Sequence, residues 1–141
     1  MAKTYQAPLA QNFGTLYTGT CDTVMGSVNT RVWDANCAEI IEATTEDIKI
    51  GRLVFKATGQ VPATNVVVFI SDVNGTNFEP FVEVILASAG VTPSATVPSS
   101  NVEISYNITE LYLRVGQILG FGITATCITG KIVGWAVLGE Y

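Results

Sequence analysis

Glu110-Leu-Tyr-Leu-Arg-Val115, Gln117-Ile-Leu-Gly-Phe-Gly-Ile-Thr-Ala-Thr-Cys127 and Lys131-Ile-Val-Gly-Trp-Ala-Val-Leu138 run almost to the end of the chain. Their reading decides the fold. In the first run Leu111, Leu113 and Val115 alternate with Glu110, Tyr112 and Arg114. In the second Leu119, Phe121, Ile123, Ala125 and Cys127 share one face. A period of two in β-branched and aromatic residues marks a strand. The three runs therefore predict three consecutive strands in the middle of an all-β domain. Between Leu111 and Gly139 only Arg114 and Lys131 are charged, so these strands are apolar on both faces. In a sandwich one face covers the core. The other has to meet a neighbouring subunit, a larger particle or the N-terminal segment of the same chain.

The same alternation extends upstream. Strands are predicted at 38–43, 48–57, 66–73, 77–87 and 101–106, with 107–110 connecting into the last three. Residues 66–70 are apolar on both sides, the mark of a doubly covered strand. Asn74-Gly75 tolerates positive φ at both positions and predicts a two-residue type I′ hairpin joining 66–73 to 77–87. Pro80 lacks a ladder donor and predicts an edge position or a bulge. Thr129-Gly130 predicts a tight turn before the last strand. The long loop 88–100 lies in a stretch with no charge from Val84 to Val102, which favours contact with a partner. Residues 1–37 are rich in Thr, Asn, Gln and Gly and weakly periodic. They read as an irregular N-terminal arm with a candidate strand at 22–28, ahead of a domain at 38–141. Eight or nine strands at spacings of roughly 8 to 12 residues, and no helical periodicity, predict an antiparallel β-sandwich of jelly-roll type.

Composition excludes several functions. The chain has 141 residues, enough for one domain with its own core. Hydrophobic residues are 48 % and charged residues 13 %, the latter about half the usual roughly 25 %. A surface this poor in charge suits an extracellular or virion protein, or one hidden in an assembly. The net charge of −5 disfavours nucleic acid and anionic membranes; Lys49, Arg52 and Lys56 are the one loose basic set. Residues 1–8 lack the apolar run of a secretory signal, and no stretch approaches the roughly 20 apolar residues of a membrane span. The expected site of synthesis is the cytosol.

There is no histidine, which excludes histidine triads, histidine metal sites and imidazole switches. Cys21, Cys37 and Cys127 have no metal or framework spacing; Cys21 and Cys37 are the pair that could bridge, and Cys127 reads as a small buried hydrophobe. Six of the twelve acids fall between Asp22 and Asp47, without the compact oxygen spacing that calcium requires. Asp72-Val-Asn-Gly-Thr76 is a turn and not a calcium loop, because its Gly is early and the bidentate Glu is missing. Glu79 with Glu83, and Glu103 with Glu110, are the carboxylate pairs that could share a face, read as ordinary strand charges. Trp33 and Trp135, with Tyr5, Tyr17, Tyr106, Tyr112 and Tyr141, could line a carbohydrate groove but read as packing residues. No catalytic, cofactor or metal residue is assigned.

One resemblance adds to this. Ile50-Gly-Arg-Leu-Val-Phe-Lys-Ala57, Asn65-Val-Val-Val-Phe-Ile-Ser-Asp72, Glu83-Val-Ile-Leu86, the Ser/Pro/Ala loop, Leu111-Tyr-Leu-Arg-Val-Gly-Gln-Ile-Leu119 and Val133-Gly-Trp-Ala-Val-Leu-Gly-Glu-Tyr141 follow in that order. Over 48–141 this resembles the β-sandwich capsid decoration (cement) and head-auxiliary proteins of tailed bacteriophages. The resemblance implies a jelly-roll-like fold, homotrimers, an N-terminal segment gripping the shell, and no catalysis. The expected function is a structural virion protein that binds the capsid exterior, with the major capsid protein or other virion proteins as partners. The alternative is a carbohydrate- or receptor-binding module of a tail or fibre.

Overall fold

The computed structural model describes residues 17–98 and 103–138, and for 107–110 the backbone alone. It holds eight strands: β1 Tyr17–Cys21, β2 Ala38–Glu42, β3 Ile48–Ala57, β4 Thr64–Ile70, β5 Glu79–Leu86, β6 Glu103–Leu113, β7 Ile118–Ile123 and β8 Ile132–Leu138. They form two four-stranded antiparallel sheets, a front sheet ordered β1-β8-β3-β6 and a back sheet ordered β2-β7-β4-β5.

The connectivity is that of one long hairpin rolled up. β4 pairs β5 at the bend, and β3 with β6, β2 with β7 and β1 with β8 follow outward in nested order. Rolling adds the β3–β8 and β4–β7 ladders, which close the two sheets. This is the eight-stranded jelly roll, and the expected all-β antiparallel sandwich is what the chain adopts.

Between the sheets lies the main core. Phe55, Leu53 and Ile50 of β3, Ile132 and Ala136 of β8, Leu111 and Leu113 of β6, Val66 and Val68 of β4, and Leu119, Phe121 and Ile123 of β7 are all buried there. Phe55 and Phe121 face each other across the gap with ring centroids 5.1 Å apart. Gly134 makes room for them, since a Cβ there would lie 2.8 Å from both rings.

Several boundaries differ from the sequence reading, each for a physical reason. The expected break at 107–110 is absent: β6 is one strand of eleven residues. The apolar positions switch from even (Ile104, Tyr106) to odd (Leu111, Leu113), and one ladder absorbs that switch by a bulge. Ile50 pairs Leu111 while Arg52 pairs Asn107. The last three strands are not neighbours in one sheet, because β6 and β8 belong to the front and β7 to the back. β4 and β5 do form the expected hairpin, but its connection is 71–78 and not a two-residue type I′ turn. Gly75 has φ +73°, whereas Asn74 is not among the residues of positive φ. The Asp72 carboxylate holds this turn, accepting from the Asn74 and Thr76 amides and from the Asn77 side chain. Pro80 lies on the edge strand beside a register shift, so both of its expected placements hold together.

The N-terminal segment also differs. Its strand is Tyr17–Cys21, not 22–28. Residues 17–37 belong to the sandwich as β1 and the β1–β2 loop, while 1–16 lie outside the described residues. Thr129-Gly130 does turn, with Gly130 at φ +72°, but within an eight-residue connection between sheets.

Truncating Phe121 to Ala removes one of the two rings at the centre of the core. The expected cost is about 3–5 kcal/mol, against about 0.5 kcal/mol or less for Ile85→Ala on the surface. Urea unfolding of the two variants beside the parent chain measures both.

Candidate functional site

Both sheets have outer faces that the sequence makes apolar, and the chain treats them differently. On the back sheet the β1–β2 loop folds over β4 and β7. The loop's Met25 is buried there with Val67 and Phe69 of β4, and Val28, Trp33, Cys37 and Phe78 pack around them as a second small core. Trp33 stacks on Phe78 at 4.0 Å and meets Phe69 edge-on at 5.4 Å. Gly120 and Gly122 have no side chains because this cover sits on them. A Cβ at Gly120 would lie 2.5 Å from the Trp33 ring, and one at Gly122 would lie 2.8 Å from the Cys37 sulfur. The second face of β7 is thus met by the chain's own residues 22–37.

On the front sheet, cross-strand register defines the outer face. Thr18, Trp135, Val54 and Ser105 form one row across β1, β8, β3 and β6, and Thr20, Val133, Lys56 and Glu103 form the next. Val137 pairs Arg52, and Lys49 pairs Tyr112 with its ammonium 5.9 Å from the ring centroid, within cation–π range. Val54 is buried, Val133, Trp135 and Val137 are half-buried, and Arg52 and Tyr112 are exposed. The result is a flat face with an aliphatic and indole centre and a rim of Lys49, Arg52, Lys56, Tyr112, Glu103, Thr18 and Thr20. Protein-binding surfaces share this anatomy: an apolar centre with Trp, Tyr and Arg, and a polar rim.

Lys49, Arg52 and Lys56, the loose basic set of the sequence, come to lie on one face of the front sheet. Strict alternation puts Lys49 and Arg52 on opposite faces. The register irregularity between Ile50 and Arg52 at Gly51 brings both outward. A glycine inside a strand is the signal for such a bulge.

Other sequence candidates come apart. The register shift near Phe81 leaves Glu79 opposite Ile70 and Glu83 opposite Val67. Ile70 faces the main core and Val67 the outer cover, so the two carboxylates lie on opposite faces. Glu103 and Glu110 lie on one strand and not on paired strands; the Glu110 side chain is outside the described residues, as are Tyr5 and Tyr141. Tyr17 and Tyr106 pack on the main core, and Trp33 is consumed by the loop cover. No carbohydrate groove joins the two tryptophans, which serve opposite sheets.

All three cysteines are free thiols. Cys21 Sγ donates to the Asn36 carbonyl at 3.0 Å, and burial pushes its thiol up to about 11. Burial raises Cys37 and Cys127 as well, so none carries the thiolate of a reactive site. Cys127 is half-buried, more open than the sequence reading has it. Among the described residues no three His, Cys, Asp or Glu side chains are grouped to hold a metal ion, and no helix is long and apolar enough to cross a membrane.

A second exposed apolar set lies on β5, the edge of the back sheet. Ile85 is 74 % exposed and Phe81 47 %. Ile85 and Glu83 flank Val84 on the outer side, and Glu83 is tied to Arg31 by two hydrogen bonds at 3.0 and 2.9 Å and to Asn65. No protein-family model matches the chain, and no curated protein and no solved structure matches it.

Two expected outcomes follow. Trp33→Ala exposes the small core and costs about 3 kcal/mol, the low end for a large aromatic because the ring is half-buried. Trp135→Ala costs the isolated chain about 1 kcal/mol or less, nearer to a surface change; thermal unfolding at low concentration compares the two. The second concerns pH. The Arg31 hydrogen bonds hold Glu83 below its ordinary range, and the Thr76 amide does the same for Asp72. Both carboxylates therefore add stability above their unfolded pKa values, lost as pH falls through the lower folded ones. The melting temperature drops on acidification below the ordinary carboxylate range, and drops less in an Asp72→Ala, Glu83→Ala chain.

Proposed function

We propose that this chain is a non-catalytic structural protein of a bacteriophage virion, bound as a homotrimer to the capsid exterior, where it stabilises the shell. The observation that carries the reading is the half-covered Trp135 face on a chain with so few charges. A surface of that kind persists in a protein that spends its working life against other proteins. The β5 set of Phe81 and Ile85, on the opposite sheet, supplies a second contact. Two contact surfaces on opposite sheets suit a molecule that bridges subunits, because each bridge adds interface that must separate before the shell does. The jelly roll is compatible with this role and does not choose it, since the same fold serves capsid and lectin domains. The likeness of 48–141 to phage decoration proteins tips the balance. The glycan-binding reading loses Trp33 to the loop cover and keeps only Trp135 and Tyr112.

Antibody labelling of particles from the phage that encodes the chain tests this. Label on the outer head is expected, and label confined to the tail, or absent, overturns it. Ile85→Asp should lower occupancy on undecorated heads at least about tenfold while leaving the fold intact. Removing residues 2–16 keeps β1 whole and asks whether that segment grips the shell.

A further inference from the structure

The rim of the Trp135 face carries three cations against one carboxylate, Glu103 beside Lys56, although the chain is anionic. Lys49, Arg52 and Lys56, three of the seven basic residues, line it. The reverse holds at the β2 edge of the back sheet. Glu39 and Glu42 pair Gly120 and Ile118 there and are exposed, Glu46 follows exposed in the turn, and residues 38–48 contain no basic side chain.

We propose that the Trp135 face of one copy receives the β2 edge of a second copy of this chain. Charge decides the occupant and the orientation. Two Trp135 faces brought together would set three cations against three with only one Glu103 on each side to offset them, and two β2 edges would set Glu against Glu. Face against edge is the arrangement in which the charges attract. The spacing also agrees. Lys49 and Arg52 are three residues apart across a register irregularity, and so are Glu39 and Glu42. The bulge shortens both spans alike: Glu39 and Glu42 lie two β7 positions apart, roughly 7 Å at roughly 3.3 Å per residue, and on β8 Arg52 advances only one position from Ile50. Different patches on the two partners make the contact heterologous, so copies add head to tail and close into a ring when the rotation allows. Trp135, Val133 and Val137 supply the apolar centre, and the ion pairs set register and partner choice. The inference rests on the reading of this face as a protein-binding surface, not on the virion assignment.

Sedimentation velocity of the full chain across a concentration series, at about 0.05 M and about 0.5 M salt, reads the association. Arg52→Glu and Glu42→Arg should each weaken it at least about tenfold, and the double variant R52E/E42R should restore it to within about threefold. Both positions are exposed, so circular dichroism should show an unchanged fold. A wild-type chain monomeric throughout overturns the proposal, as does a double variant as weak as the two single changes combined. Association that appears only after removal of residues 2–16 assigns the face to that segment and overturns it too. A monomer that still decorates heads defeats this inference and the homotrimer but leaves the capsid-binding role standing, while rings that never bind heads do the reverse.

Discussion

A β-strand that is apolar on both faces has to be covered twice. Here the jelly roll supplies the first cover by packing its sheets around Phe55 and Phe121. The second cover differs between sheets, and most of what distinguishes this molecule follows from that difference. Over β4 and β7 the β1–β2 loop lays Met25, Trp33 and Cys37. Over β8 the described chain lays nothing comparable, and Val133, Trp135 and Val137 stay half-buried.

The contrast is written into the glycines. β7 carries Gly120 and Gly122 on its outer side, which lets a loop approach to van der Waals distance. β8 carries its glycine, Gly134, on the inner side, and valine and tryptophan outside. A strand meant to be capped by its own loop has small residues where the cap sits. A strand meant to meet another molecule keeps large apolar side chains there, where their burial on contact yields the most free energy. The two tryptophans thus differ: Trp33 stacks within its own chain's cover, and Trp135 lies half-buried on the outer side of β8. The cationic rim of the open face and the acidic β2 edge divide the charge of an anionic protein into complementary parts.

Much of the fold is legible in the sequence because period-two patterning reports directly on strands. Ile48–Ala57 emerges with the expected bounds, and β2, β4, β5 and β8 fall within a few residues of theirs. What alternation cannot show is where it changes phase. The even-to-odd switch between Tyr106 and Leu111 looks like a loop, yet it is the footprint of a bulge opposite Gly51 in a continuous strand. The same irregularity gathers Lys49 and Arg52 onto one face, which strict alternation would place on opposite sides. Tyr17–Cys21 was missed because a five-residue strand rich in Thr and Gly has little patterning, and takes its place by pairing with β8 more than a hundred residues away. Trp33 could not be assigned from sequence either, because its partners Phe69 and Phe78 come from β4 and the β4–β5 turn.

In the proposed function Trp135 faces another molecule, while Trp33 packs against its own chain. Fluorine NMR of protein labelled with 5-fluorotryptophan gives one resonance for each ring and tests this most directly. The Trp135 resonance should move as concentration rises, and the Trp33 resonance should stay fixed. Two resonances that both hold still across the dilution series and on addition of undecorated heads would contradict it.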